Sequence, residues 1–160
     1  MAAKETKERG QVTVNKKAYH NYEIVEKIEA GAALLGSEVK TLRTGQADLS
    51  GSYARIADEE CWLVGANISQ YEQAGMHNHE PMRRRKLLLH SRELRKIRVK
   101  LEQRGFTLVP LKIYFNKRGL AKVEVALAKG KRLYDKRQSI SEKEQKRDLD
   151  RGMKKFRGQK

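Results

Sequence analysis

The chain has 160 residues, room for one domain with tails, and only 38% of them are hydrophobic. Its 36 Lys and Arg against 20 Asp and Glu give a formal charge of +16, which points to a polyanionic partner. No stretch approaches the roughly 20 apolar residues of a membrane helix, and the polar start Met1-Ala2-Ala3-Lys4-Glu5-Thr6-Lys7-Glu8-Arg9 does not read as a secretory signal. A cytoplasmic address is expected. The single cysteine, Cys61, allows neither an internal disulfide nor a cysteine-rich zinc site and reads as a small buried strand residue.

The charge is concentrated in two segments. Met82 to Arg104 carries ten basic and two acidic residues, and Lys129 to Lys160 carries thirteen and five, so each segment contributes +8. The other 105 residues hold 13 charges of each sign. A neutral body with two cationic surfaces is the pattern of a protein that meets phosphate at chosen places.

In chain order, residues 1 to 13 are polar and aperiodic and are expected to form a flexible arm. Residues 14–130 carry the folded pattern. Tyr22 to Ile28 puts Tyr22, Ile24 and Ile28 on one side of a strand, with Glu26 the exception. Ser37 to Arg43 reads as a short helix with Ser37 as its N-cap and Gly45 just past its end. Ser52 to Ala57 and Cys61 to Ile68 form a hairpin across Asp58-Glu59-Glu60, the second run alternating Trp62, Val64, Ala66 and Ile68 on one side. Tyr71 to Pro81 is a loop of a length often reserved for function.

Next, Ser91 to Arg104 spaces Leu94, Ile97 and Leu101 along one helical stripe, with Arg92, Arg95, Lys96 and Lys100 on the other side. A second hairpin follows. Phe106 to Phe115 places Val109, Leu111, Ile113 and Phe115 on one face, and Leu120 to Leu127 does the same for Ala121, Val123, Val125 and Leu127. This order predicts a mainly β fold, an OB-like antiparallel β-barrel with a helix between strands three and four plus a short extra helix. An open α+β sheet is the competing arrangement. Residues 131–160 have too few apolar side chains to build a core and are expected to be disordered when free. They keep helical grammar for a bound state: Ser141 with Glu144, the pairs Glu142/Lys146 and Asp150/Lys154, and Leu149, Met153 and Phe156 on one face.

Several constellations carry possible chemistry. Arg83, Arg84, Arg85 and Lys86 lie between a proline and a strand, where rigid cations suit phosphate contact. Tyr19-His20-Asn21-Tyr22 offers aromatic rings beside polar groups, suited to stacking on exposed bases. His77 and His79 with Glu80 invite a metal-dependent nuclease reading, but no third ligand stands at a metal-site spacing. Gly130-Lys131-Arg132 lacks the pattern of a phosphate loop, and no Ser or Cys sits in an activating motif. RNA is favoured over DNA, because no helix-turn-helix, zinc-finger or zipper pattern is present. The expectation is an RNA-binding protein that is not an enzyme, with no cofactor, no metal and no membrane partner.

The strings Asn15-Lys16-Lys17-Ala18-Tyr19-His20-Asn21-Tyr22, Glu29-Ala30-Gly31, Gly36-Ser37-Glu38-Val39-Lys40, Arg85-Lys86-Leu87-Leu88-Leu89-His90 and Lys129-Gly130-Lys131 leading to Asp135-Lys136-Arg137 together resemble the SsrA-binding protein (small protein B) family. The resemblance runs from about Asn15 to Arg137. It implies an OB-like barrel that binds the tRNA-like domain of transfer-messenger RNA and brings it to stalled 70S ribosomes, alongside elongation factor Tu. By the same resemblance the RNA surface includes Asn15, Lys16, His20, Tyr22 and Glu29 on a strand and a turn, and Lys122 joins the candidate set with Arg83 to Lys86. Glu29 either contacts RNA or caps its turn. The tail, with Tyr134, Asp135, Lys136, Arg137, Met153, Lys154 and Lys155, is implied to enter the vacant decoding site and messenger channel. Gly152 weakens the last turn of that tail helix by about 1 kcal/mol. The free protein is expected to be a monomer. A generic OB-fold ribosome-associated factor and the His77/His79 nuclease are the alternative functions.

Overall fold

The structure, a computed structural model, describes residues 10–131 and Leu149. Nine strands, three α-helices and a 3-10 helix occur in the described body: β1 Gln11–Val14, α1 Lys16–Asn21, β2 Tyr22–Ala32, α2 Gly36–Arg43, β3 Ala47–Asp48, β4 Tyr53–Ala57, β5 Glu60–Val64, β6 Asn67–Ile68, the 3-10 helix Glu72–His77, β7 Arg85–Leu88, α3 Ser91–Leu101, β8 Phe106–Phe115 and β9 Ala121–Gly130. All sheet pairings are antiparallel. They run β8–β4–β5–β7–β2–β9 and return to β8, closing a ring. The mainly antiparallel fold with a long helix ahead of its final hairpin is therefore the one expected.

Closure leaves the ring with an inside and an outside. Leu63, Leu87, Leu108, Val123, Val125 and Leu127 fill the inside, and Ile97 of α3 joins them, with Leu94 and Leu101 packed alongside. A second cluster lies against α1, where Ala18 meets Val109, Leu111, Ala126 and Ala128. In β8 and β9 the runs Leu108–Leu111 and Val125–Ala128 are consequently buried on both faces, where alternation assigned only one face to the interior.

Two bulges re-aim the faces expected from period two. The register of β8 against β9 shifts between Pro110 and Lys112, so Val109 and Leu111 face the α1 cluster while Ile113 belongs to the ring interior. The four residues Val109, Leu111, Ile113 and Phe115 do not share one face. The register of β2 against β9 shifts between Ile24 and Glu26, so Tyr22 and Ile24 pack on the α1 cluster and Ile28 on the interior. One extra residue per bulge reverses every later side chain. Glu26, the exception to the pattern, meets α3, whose Lys96 and Lys100 bond its two carboxylate oxygens at 2.6 and 2.7 Å.

Three further expectations are corrected. The arm does not extend to residue 13: Gln11–Val14 pairs with β8 and Val12 is buried, while residues 1–9 lie outside the described part. Helix α2 begins at Gly36 with Leu35 as N-cap, whose N–H donates to the Glu38 carboxylate at 2.7 Å, so Ser37 is not the cap. The long helix ends at Leu101, three residues before Arg104.

A candidate nucleic-acid interface

The segment Asn15 to Tyr22 is not one strand: α1 takes Lys16–Asn21 and β2 begins only at Tyr22. Asn15 caps helix α1 through Oδ1, which accepts from the Ala18 N–H at 3.0 Å. Its Nδ2 donates to the carbonyls of Leu49 (3.0 Å) and Pro110 (3.1 Å), and its own N–H donates to Leu111 O at 2.7 Å. One buried amide thus ties a helix, a loop and β8 together, and the side chain faces inward rather than toward a ligand. Its neighbours face out. Lys16, Lys17, Tyr19 and His20 are exposed around the helix, and Tyr22 is half-buried against the α1 cluster. The His20 ring nitrogen Nδ1 lies 3.2 Å from Asn21 Oδ1, and the Lys27 ammonium sits 5.7 Å from the Tyr19 ring centre.

Farther along β2, pairing with β9 opposes Gly31 to Lys122, and pairing of β9 with β8 opposes Lys122 to Tyr114. Three adjacent strands therefore deliver Glu29, Lys122 and Tyr114 to one place on the outside of the ring. The Glu29 carboxylate accepts from the Tyr114 hydroxyl and lies 3.1 Å from the Lys122 ammonium. Those two contacts, the Tyr114 hydrogen bond first and Lys122 second, hold the Glu29 carboxyl below the usual carboxylate range. Even so, 54% of the Glu29 side chain is open to solvent. Leu88, opposite Gly31 on β7, is 54% exposed, an apolar side chain beside a charged trio. It was missed in the sequence because a run of three leucines reads as core. The parity of β7, with Arg85 and Leu87 buried and Lys86 and Leu88 outward, is what separates it from its neighbours.

The four-base run Arg83 to Lys86 does not form a uniform cationic patch. Arg85 is fully buried. Its Nε donates to Glu38 Oε1 at 2.8 Å, one terminal nitrogen to the carbonyls of Ala66 (2.6 Å) and Arg83 (3.1 Å), and the other to Pro81 O at 2.8 Å. Arg83 bonds both oxygens of the same carboxylate. Glu38 is itself fully buried. Burial by itself would raise its carboxyl; the hydrogen bonds from Arg83, the Leu35 N–H and Arg85 outweigh that and hold it below the usual range. Lys86 is ion-paired to Glu60. Arg84 alone of the four is exposed. The expected patch is thus corrected: strand alternation turns Arg85 inward, and a buried guanidinium requires a carboxylate partner, which α2 supplies.

The histidines of the Tyr71–Pro81 loop are separated in the same way. His77 is exposed, while His79 is buried with Nδ1 2.9 Å from Ser37 Oγ and Nε2 3.0 Å from Ile68 O. A carbonyl only accepts, so Nε2 carries a hydrogen and donates it to Ile68 O. Asn78 closes the loop by accepting from the Tyr71 N–H and donating to Tyr71 O. Among the described residues no group of three His, Cys, Asp or Glu side chains is placed to hold a metal ion, and none of the helices among them is long and apolar enough to cross a membrane. Cys61 is buried inside the ring, and burial pushes its thiol up to about 11. The tail candidates Tyr134, Asp135, Lys136, Arg137, Met153, Lys154 and Lys155 lie outside the described residues.

Residues 12–155 match the family model described as SmpB protein. The SsrA-binding protein of Syntrophobacter fumaroxidans is 58% identical over 137 residues, 86% of this chain and 84% of that one. The SsrA-binding protein of Chloroflexus aurantiacus is 49% identical over 158 residues, 98% of each chain. A solved chain described as "tmRNA-SmpB: a journey to the center of the bacterial ribosome" superposes with a TM-score of 0.66 at 51% identity, covering 81% of this chain and 94% of that chain.

Proposed function

Because the chain belongs to the SmpB family, we propose that it binds the tRNA-like domain of transfer-messenger RNA and delivers that RNA to stalled 70S ribosomes. It acts as an RNA-binding protein and not as an enzyme. The observation that carries this reading is the open trio Glu29, Tyr114 and Lys122 beside Leu88 on the outside of the ring. A carboxylate held ionised by two neighbours, with half its surface free, accepts from a base amine or a ribose 2′-OH, while the lysine meets a phosphate. The leucine offers an apolar seat for a base or sugar face. Helix α1 contributes Lys16 and His20 as further donors, with Asn15 fixing the helix and Tyr22 seating it.

Division of labour follows from the charge. The body holds the RNA. The segment from Lys129 onward supplies half of the total excess charge, and Tyr134 to Arg137 with Met153 to Lys155 read an empty decoding site and messenger channel. A cationic chain that orders only where RNA walls neutralise it enters a vacant channel and is excluded by resident messenger. In this reading the free protein is a cytoplasmic monomer and the delivered complex includes elongation factor Tu. A generic ribosome-associated RNA-binding factor is the second reading, and it predicts no preference for a tRNA-like fold.

Truncation after Leu133 tests the division. The shortened protein is expected to bind the tRNA-like RNA with its affinity largely intact, in the presence of excess duplex DNA competitor, and to lose peptide tagging on stalled ribosomes. A large loss of affinity with tagging preserved would overturn it.

A further inference from the structure

The outside of the ring holds a second feature that the trio does not use. Strand β5 buries Cys61 and Leu63 and turns Trp62 outward, half-buried. Register places Arg55 of β4 opposite Trp62 on one side and Lys86 of β7 on the other. Directly opposed side chains on one sheet face have Cβ atoms about 4.5–5.5 Å apart, so the indole lies between two cationic stems. Arg84 reaches the same place. Arg55, Ala57, Asp58, Trp62 and Arg84 line an open groove of about 310 Å³, at the lower end of the roughly 300–1,000 Å³ range of small-ligand sites. Leu88 is the diagonal neighbour of Trp62 across β5 and β7, about 7–8 Å away by sheet geometry. Leu88, which pairs with Gly31 on its other side, thus stands on the sheet between Trp62 and the strand that carries Glu29.

We propose that this groove is a nucleotide subsite, in which an unstacked base of the bound RNA lies on the Trp62 ring while Arg55 and Arg84 take the adjoining phosphates. The inference rests on the RNA-binding reading above and extends it by a specific contact. An aromatic face in a cationic groove is the common device for holding unpaired nucleotides. Lys86, already paired to Glu60, lends its field and its alkyl stem more than a phosphate contact. The Asp58 carboxylate at the rim repels phosphate, so the sugar-phosphate strand crosses on the Arg84 side and the base edge points toward Asp58, which accepts from a base N–H.

Trp62 is the one tryptophan of the chain, so its emission reports this site alone. Full-length protein is titrated with the tRNA-like RNA while binding is followed in parallel by anisotropy of a label on the RNA. Emission is expected to be quenched at the same RNA concentrations that raise the anisotropy. Trp62→Ala is expected to weaken binding roughly 5- to 150-fold, the range for losing one stacked base, Trp62→Phe to regain most of it, and Arg84→Ala to lower the salt slope by about one. Unchanged emission at full RNA saturation would overturn the subsite while leaving RNA binding standing, whatever the fate of the alanine variant. Failure of the wild-type protein to bind the RNA would overturn both readings.

Discussion

Arg85 offers the sharpest test of the physical account, because its charge belongs to a run that a sequence reader assigns to phosphate contact. In Arg85→Ala the Glu38 carboxylate stays buried with one cation, the partly exposed Arg83, and the Leu35 N–H to answer it, and the carbonyls of Ala66, Pro81 and Arg83 each lose a donor. Removing one partner of a buried ion pair costs about 3–5 kcal/mol. In a body of roughly 120 residues, where 1 kcal/mol moves the melting point by about 3–5 °C, the midpoint should drop by roughly 10–25 °C. Thermal unfolding followed by far-UV circular dichroism measures this directly. Arg84→Ala, an exposed neighbour, is expected to stay within about 0.5 kcal/mol of wild type in the same assay. At a temperature where both variants are folded, Arg84→Ala should flatten the salt dependence of RNA binding and Arg85→Ala should leave it unchanged. A melting point for Arg85→Ala within about 2 °C of wild type would refute the argument that this guanidinium belongs to the fold.

Other consequences are open to measurement. Asn15→Ala removes a helix cap and two buried hydrogen bonds and should cost about 2–4 kcal/mol in chemical denaturation; an unchanged midpoint would mean that Asn15 faces a ligand after all. Glu29→Ala, at a site half open to solvent, should shift stability by less than about 1 kcal/mol yet weaken RNA binding in an anisotropy titration, and equal affinities would remove Glu29 from the interface. The acid limb of stability follows from two depressed carboxyls. The Lys100 and Lys96 hydrogen bonds lower Glu26 to about 2, and the Arg83, Leu35 N–H and Arg85 hydrogen bonds, outweighing burial, hold Glu38 below the usual range, so both contribute fully above the ordinary value of 4.5 and lose that contribution as pH falls from there toward the folded values. Glu26→Gln should therefore flatten the fall in melting temperature below about pH 4.5, and an unaltered slope would show that the α3 lysines do not hold it.

Much of the body was legible in the chain. Alternation in Leu120–Leu127 placed the inward side of β9 correctly, the Leu94, Ile97 and Leu101 stripe marked the packed face of α3, and Cys61 was read as a buried strand residue; all three depend on local periodicity and size. The candidate site was legible only in part. Lys16, His20, Glu29 and Lys122 do reach the surface, but Leu88 was hidden in an apolar run, Tyr114 carried no local sign of facing outward beside charges, and Trp62, which alternation groups with Val64, Ala66 and Ile68, faces outward while Ala66 and Ile68 are buried.

The sequence by itself determined where the positive charge lies along the chain, which segments alternate and which turn helically, and the family signature, because each is a property of neighbours in the chain. The tertiary structure decided which charges face water. Arg85 is buried because a carboxylate 47 residues away is brought against it, and nothing in the run Arg83 to Lys86 itself says which of its bases turns inward. It also decided that Lys16–Asn21 winds into a helix capped by Asn15, since that amide finds its partners on Leu49 and Pro110, and that single-residue bulges in β2 and β8 exchange inside for outside. Burial and long-range hydrogen bonding depend on contacts between residues far apart in sequence, and only folding brings those together.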